Sequence, residues 1–215
     1  MRAFDLLVAL FALVQLARYG RRALLFAAPS VRLWAEPGAL ARSAPRLRAG
    51  EALEELGFVP LGSRGERGIL GAFEQTLDAY AHPARGAYAD VLDGPPREGA
   101  RTILFTPFAD GAAVLTATFQ RSARSTARVL LGSVPGSVGA ALAAHEVAVR
   151  RFASAHGAPQ VSPDLGARVD AARAWYRGEG RRELRRSSVI AFVNAALGLA
   201  LLAGSAVNVL VRGLR

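Results

Sequence analysis

At 215 residues the chain has room for one ordinary domain together with apolar segments. It holds no cysteine, which excludes disulfides, thiolate metal sites and a cysteine nucleophile. Its net charge of +10 is carried by arginine alone, and between residues 58 and 160 ten arginines face eight acids. The basic excess therefore lies in the two ends, next to apolar runs, which argues against a nucleic-acid module and for a membrane protein.

Residues 3–17, AFDLLVALFALVQLA, form the first apolar stretch. A helix of that length reaches about 22 Å, short of a ~30 Å hydrocarbon core, and Asp5 and Gln15 interrupt it. RYGRR follows where a secretory signal would have a small-residue cleavage site. The expectation for 1–20 is thus a short uncleaved span, or an interfacial helix, with Arg18 snorkelling to the surface. Residues 21–57 read as a connector rich in proline and arginine: Pro29, Pro37 and Pro45 break long helices, and Arg21, Arg22 and Trp34 suit a membrane interface or, equally, an ordinary packed loop. GEALEEL, 50–56, is expected to form a short helix closed by Gly57.

A cytoplasmic α+β domain is expected over 58–160. FVPLG opens it as a short strand, with Pro60 keeping it to an edge or an end, and SRGERGILG reads as a Gly-rich link. In QTLDAYAH, 75–82, Thr76, Asp78, Tyr80 and His82 alternate with Leu77, Ala79 and Ala81, the period of a strand. AYADVL returns after the turn at 83–86. RTILFTPF and AVLTATFQ are the strongest strand pair, joined through the Asp110-Gly111 hairpin signal, and ARVLL adds one more. The result is an antiparallel meander of five or six strands.

Ser137 and Gly157 bracket a helix on which Val138, Leu142, His145, Val149 and Phe152 form one apolar stripe. That stripe and one face of the sheet can bury each other. Residues 161–188 read as a basic juxtamembrane helix with Ser162 as its cap. Trp175, Tyr176, Arg181, Arg182, Arg185 and Arg186 would form an interfacial collar. The run 189–211, VIAFVNAALGLALLAGSAVNVLV, holds 23 residues and no charge. As a helix it spans roughly 34 Å, enough to cross a bilayer. Asn194, Gly198, Ser205 and Asn208 line one face and Gly204 lies in a small-residue row, features of close helix packing against residues 3–17 or a second copy. Arginines crowd the domain side of both segments, and only Arg2, Arg212 and Arg215 stand beyond, so the positive-inside bias places the domain in the cytoplasm, at the inner membrane.

Candidate chemistry is sparse. Gly132, Gly136 and Gly139 precede a helix but match neither G-x-G-x-x-G nor a Walker loop. The histidines 82, 145 and 156 form no metal-ligand spacing, and no serine sits in a nucleophile-elbow pattern. His145, inside the apolar stripe, is the one candidate general base, facing a sheet carboxylate, Asp78 or Asp90. Three readings follow. A membrane-anchored, noncatalytic binding or scaffolding module without cofactor or metal stands first. Its partners would be membrane lipids and another protein or a second copy. A membrane-bound enzyme using His145 is second, and a lipid or apolar-ligand binder with a cavity of several hundred Å³ is third.

Overall fold

The computed structural model describes residues 3–36 and 42–213. Arg2, Pro37 and Arg215 lie outside them. Thirteen principal elements follow in order: α1 (Ala3–Ala27), β1 (Val31–Glu36), α2 (Ala44–Glu55), β2 (Val59–Gly68), β3 (Glu74–His82), β4 (Ala87–Asp93), β5 (Ala100–Pro107), β6 (Ala113–Ala117), β7 (Arg124–Ser125), β8 (Val129–Ser133), α3 (Val138–His156), α4 (Leu165–Arg177) and α5 (Glu179–Gly213). The class is α+β, with a mostly antiparallel sheet and an apolar C-terminal helix.

The sheet has eight strands in the order β1-β2-β3-β4-β5-β6-β8-β7, more than the five or six expected. β1 and β7 are the additional strands, and the expected first strand is longer than its FVPLG segment. VRLWAE, inside the span read as connector, forms β1. SRGERG, read as part of a Gly-rich link, forms the second half of β2. After β6 the chain does not continue the meander: the short β7 takes the edge and β8 inserts parallel to β6, pairing Val114 with Leu130 and Leu115 with Leu131.

The chain divides into two compact units. One holds Leu33–Glu66 and Gln75–Gly180, and in it the strand period sorts the sheet into two buried faces. Register sets Tyr80 opposite Ala89 and Asp78 opposite Val91. Tyr80, Ala89, Val91 and Leu104 on this face pack against Leu53 of α2 and Ala141 and Leu142 of α3. On the other face Ala81, Tyr88, Phe105 and Leu115 pack against Ala171 and Trp175 of α4. Ser137 caps α3 by accepting from Ala140 N, as expected. The cap of α4 is Asp164 rather than Ser162, because its carboxylate reaches Ala167 N. Gly57 and Gly157, with φ of +88° and +81°, end α2 and α3 where a side chain would be strained.

The second unit comprises Met1–Arg32, Arg67–Glu74 and Arg181–Arg215. Helix α1 runs ten residues past the apolar stretch, since Arg21 and Arg22 stay exposed while Ala23 and Leu25 extend its buried stripe. It packs antiparallel to α5: Asp5 meets Asn208, Ala12 and Leu16 flank Gly198, and Phe26 stacks on Phe192 at 4.5 Å. Within α5, Glu179–Asn208 is long and apolar enough to cross a membrane, with a mean hydropathy of 2.0 in its most apolar window. It is the one such helix among the described residues.

Candidate functional site

The buried polar groups of the sheet unit fall into three networks. The first is built on the second half of β2, the segment expected to be a link. Arg64 and Glu66 are two apart and so share a sheet face with Asp90 of β4. Arg64 grips Asp90 through both ends of its guanidinium, Nε to Oδ1 at 3.2 Å and Nη2 to Oδ2 at 2.8 Å. Its remaining Nη1 donates to Glu66 Oε1 at 2.6 Å. Glu66 Oε2 accepts from Gln75 Nε2 at 2.8 Å and from the Tyr176 hydroxyl at 3.1 Å. Arg168 of α4 closes the set: its Nη2 donates to Asp90 Oδ2, and its guanidinium lies over the rings of Phe105 and Tyr88 at 4.7 and 5.2 Å. Two positive and two negative groups balance. Gly65 makes room on the opposite face of β2, where a Cβ would collide with the ring of Trp34.

Electrostatics follow from that geometry. Burial opposes ionisation of Asp90, yet Arg168 and Arg64 hold its carboxyl below the ordinary range. Burial likewise opposes the charge on Arg64, but Asp90 and Glu66 raise it above the usual arginine value. Burial, then the Glu66 carboxylate, pushes the Tyr176 phenol well above its usual value. The space these groups enclose is about 80 Å³. It is too small for an ordinary ligand and suited to a few waters, which the buried Nε and Nη1 of Arg168 require, having no protein acceptor.

The second network lies on the opposite face. Asp78 receives Arg46 Nε at 3.0 Å and Ser63 Oγ at 2.9 Å, with Arg42 Nε 3.3 Å away. Ser43, the cap of α2, donates to Asp93 at 2.6 Å. This network fastens the first turn of α2 to β3 and β4.

The third is His145, fully buried on α3. Nε2 meets Thr106 Oγ1 at 2.9 Å and Nδ1 meets Thr116 Oγ1 at 2.9 Å. Thr106 has one hydroxyl proton, and it goes to the Gly86 carbonyl at 2.6 Å. Thr106 must therefore accept from Nε2–H, which leaves Nδ1 as the lone pair that accepts from Thr116. The ring is neutral with both nitrogens occupied. Burial lowers its pKa to about 4.

No protein-family model, curated protein or solved structure matches this chain.

The expected pairing of His145 with Asp78 or Asp90 is thus not formed: both carboxylates are engaged by arginines and the imidazole by threonines. Among the described residues the one histidine–carboxylate pair is His156 Nδ1 with Asp110 Oδ2, 2.8 Å, at the end of α3. Its Nε2 faces the Ala127 carbonyl at 2.8 Å, so both nitrogens meet acceptors and the pair clamps the helix end to the β-turn and the start of β8. The described residues hold no cluster of metal ligands.

The three aromatic residues expected at the membrane interface all make protein contacts. Trp175 packs edge-on to Phe105 at 6.1 Å and Tyr176 bonds Glu66, while Trp34 donates to Glu36 at 2.8 Å, so all three face protein. Arg18, Arg21, Arg22, Arg181, Arg182, Arg185 and Arg186 stand exposed. Of the small and polar residues on α5, Gly198 meets α1, where an added Cβ would lie 3.1 Å from Ala12 O. Asn208 and Ser205 reach Asp5. Asn194 bonds the Ile190 carbonyl of its own helix, and Gly204 has open space beside it. Sequence reasoning missed Arg46, Arg64, Glu66 and Arg168. The alternation of Ser63 and Gly65 with Arg64 and Glu66 was the available signal.

Proposed function

We propose that this is an integral membrane protein whose α5 anchors a noncatalytic α+β binding or scaffolding unit at the cytoplasmic face of the inner membrane. Helix α1 would serve as a second, short membrane segment beside the anchor. The exposed arginines of α1 and α5 support this side, since basic residues near segment ends stay in the cytoplasm.

The observation that carries the noncatalytic half is the closure of His145 between Thr106 and Thr116. A general base needs a free lone pair within reach of substrate, and this one is occupied in a dry core. The lipid-binding alternative needs an enclosed apolar space of several hundred Å³. Between sheet and α4 the space is about 80 Å³ and lined by four charged side chains. A second space of about 490 Å³ is an open depression beside Tyr88, Phe108 and Ala171.

The test uses the full chain in native membranes, treated with diethyl pyrocarbonate and mapped by mass spectrometry. His82 should react while His145 stays unmodified, and the chain should remain in the pellet after carbonate extraction. Modification of His145 as fast as of His82 would defeat the noncatalytic reading. Release by carbonate would defeat the anchor.

A further inference from the structure

The turn between β2 and β3 belongs to the helical unit, not to the sheet unit from which both strands come. Its tip carries Leu70, at 76% the most exposed large apolar side chain among the described residues. Leu70 also has the one positive φ of any described non-glycine residue, +48°. An apolar side chain held in that strained conformation, and left in water, has no stabilising contact to offset it.

The turn is seated on α1. Ile69 N donates to the Ser30 carbonyl at 3.2 Å, and Gly68 lies against Leu25. Arg67 Nε and Glu74 Oε2, 3.5 Å apart, close its base. Its depth can be counted along the helices. A hydrocarbon core takes about 20 helical residues. Counted from Ala3 along α1, these reach Arg22. Counted back from Val211 along α5, they reach Phe192. The first count ends about one turn from Phe26 and the second on Phe192, which stacks on Phe26, so the two helices place the boundary at one level. Leu25 and the turn resting on it lie just beyond that level. Arg18, Arg21 and Arg22, exposed within the last turns below it, would snorkel up to the headgroups.

We propose that residues 69–71 form an interfacial wedge, with Leu70 inserted at the boundary between headgroups and acyl chains of the leaflet that α5 enters. This rests on the membrane reading above and adds a third point of lipid contact from the sheet's own hairpin. It fits a bilayer rather than a protein partner because Leu70 stands exposed at the boundary level, where α5 exposes Ile190 and Phe192 as well.

Because the chain has no cysteine, single labels are unambiguous. The full chain carrying Leu70→Cys, Leu199→Cys or Val59→Cys would be labelled with an environment-sensitive fluorophore. Each would then be reconstituted in vesicles of phosphatidylethanolamine and phosphatidylglycerol. The label at 70 should be blue-shifted, and quenched more by lipids spin-labelled near the headgroup than by those labelled at the chain end. At 199, mid-span, the order should reverse, and at 59, an exposed position of the sheet unit, neither lipid should quench. A label at 70 that behaves as at 59 overturns the wedge while the span at 199 stands. A label at 70 shielded from water yet unquenched by lipid means protein covers the turn, and also overturns it. Absence of quenching at 199 removes the membrane reading itself and the wedge with it.

Discussion

Of the twenty large apolar side chains exposed among the described residues, seventeen belong to the unit of α1, the 67–74 turn and α5. Three, Leu47, Val59 and Val147, belong to the sheet unit. Buried charge runs the other way. Arg46, Arg64, Glu66, Asp78, Asp90, Arg168 and Glu179 are buried in the sheet unit, and Asp5 alone in the helical one. Here one unit hides apolar surface from water and uses ion pairs to fix which strand and helix meet. The other turns apolar surface outward and packs its helices through small residues, as the membrane reading proposed above requires.

The sharpest way to break this comparison is Asp90→Ala. It leaves Arg168, and one side of Arg64, charged and unpaired in a buried site, a change that costs about 3–5 kcal/mol in other proteins. Both tryptophans, Trp34 and Trp175, lie in the sheet unit, so their fluorescence during guanidinium unfolding of the detergent-solubilised chain reports on it alone. A loss under about 1 kcal/mol, the size of a surface ion pair, would mean that water reaches the network and that the unit's charges are not truly buried.

Acid tests the same unit through a neutral group. The folded pKa of His145 is lowered to about 4, against an ordinary 6.5 in the unfolded chain. Above pH 6.5 the ring is neutral in both states and contributes no pH dependence. As pH falls from 6.5 to 4 the unfolded chain takes up a proton that the folded chain refuses, so stability declines, by roughly 3 kcal/mol over the window. Below pH 4 this residue contributes no further slope. His82, also lowered by burial and by Arg85, adds in the same direction, so the measurement is the difference in slope between wild type and His145→Gln. The variant should fold and show the shallower slope. Equal slopes would mean that His145 already titrates in the folded protein.

How far the sequence anticipated these features depended on whether the cause was local. Helix α3 was legible from its Ser137 cap and its stripe, and β3 to β6 from two-residue alternation, because neighbours in sequence decide both. The second half of β2 was misread because Ser63, Gly65 and Gly68 look like a linker, whereas Gly65 is required by Trp34 packing across it and Arg64 by Asp90. Those partners are 26 and more residues away, and no local pattern encodes them. The insertion of β8 beside β6 was hidden for the same reason. Asp78 and Asp90 were visible as inward-facing carboxylates of strands, but a carboxylate's role is set by what it meets, and arginines met both before His145 could.

The mildest test concerns polar contact inside the helical unit. Asn208 Nδ2 donates to Asp5 Oδ1 at 3.0 Å, joining α5 to α1 across 203 residues of chain. In water-soluble cores such a bond, once broken, leaves a group that only the native partner could satisfy. In an apolar solvent the separated helices keep their backbone bonds, and polar side chains find other partners there. Interhelical bonds in membranes accordingly average about 0.6 kcal/mol and reach about 1.7. Asn208→Leu should lower stability by that amount, read from SDS-driven separation of labels at Leu7→Cys and Leu199→Cys in mixed micelles. A loss as large as that of Asp90→Ala would show that the helical unit depends on its polar contacts as the sheet unit does. The contrast between the two units would then reflect composition alone and not two solvents.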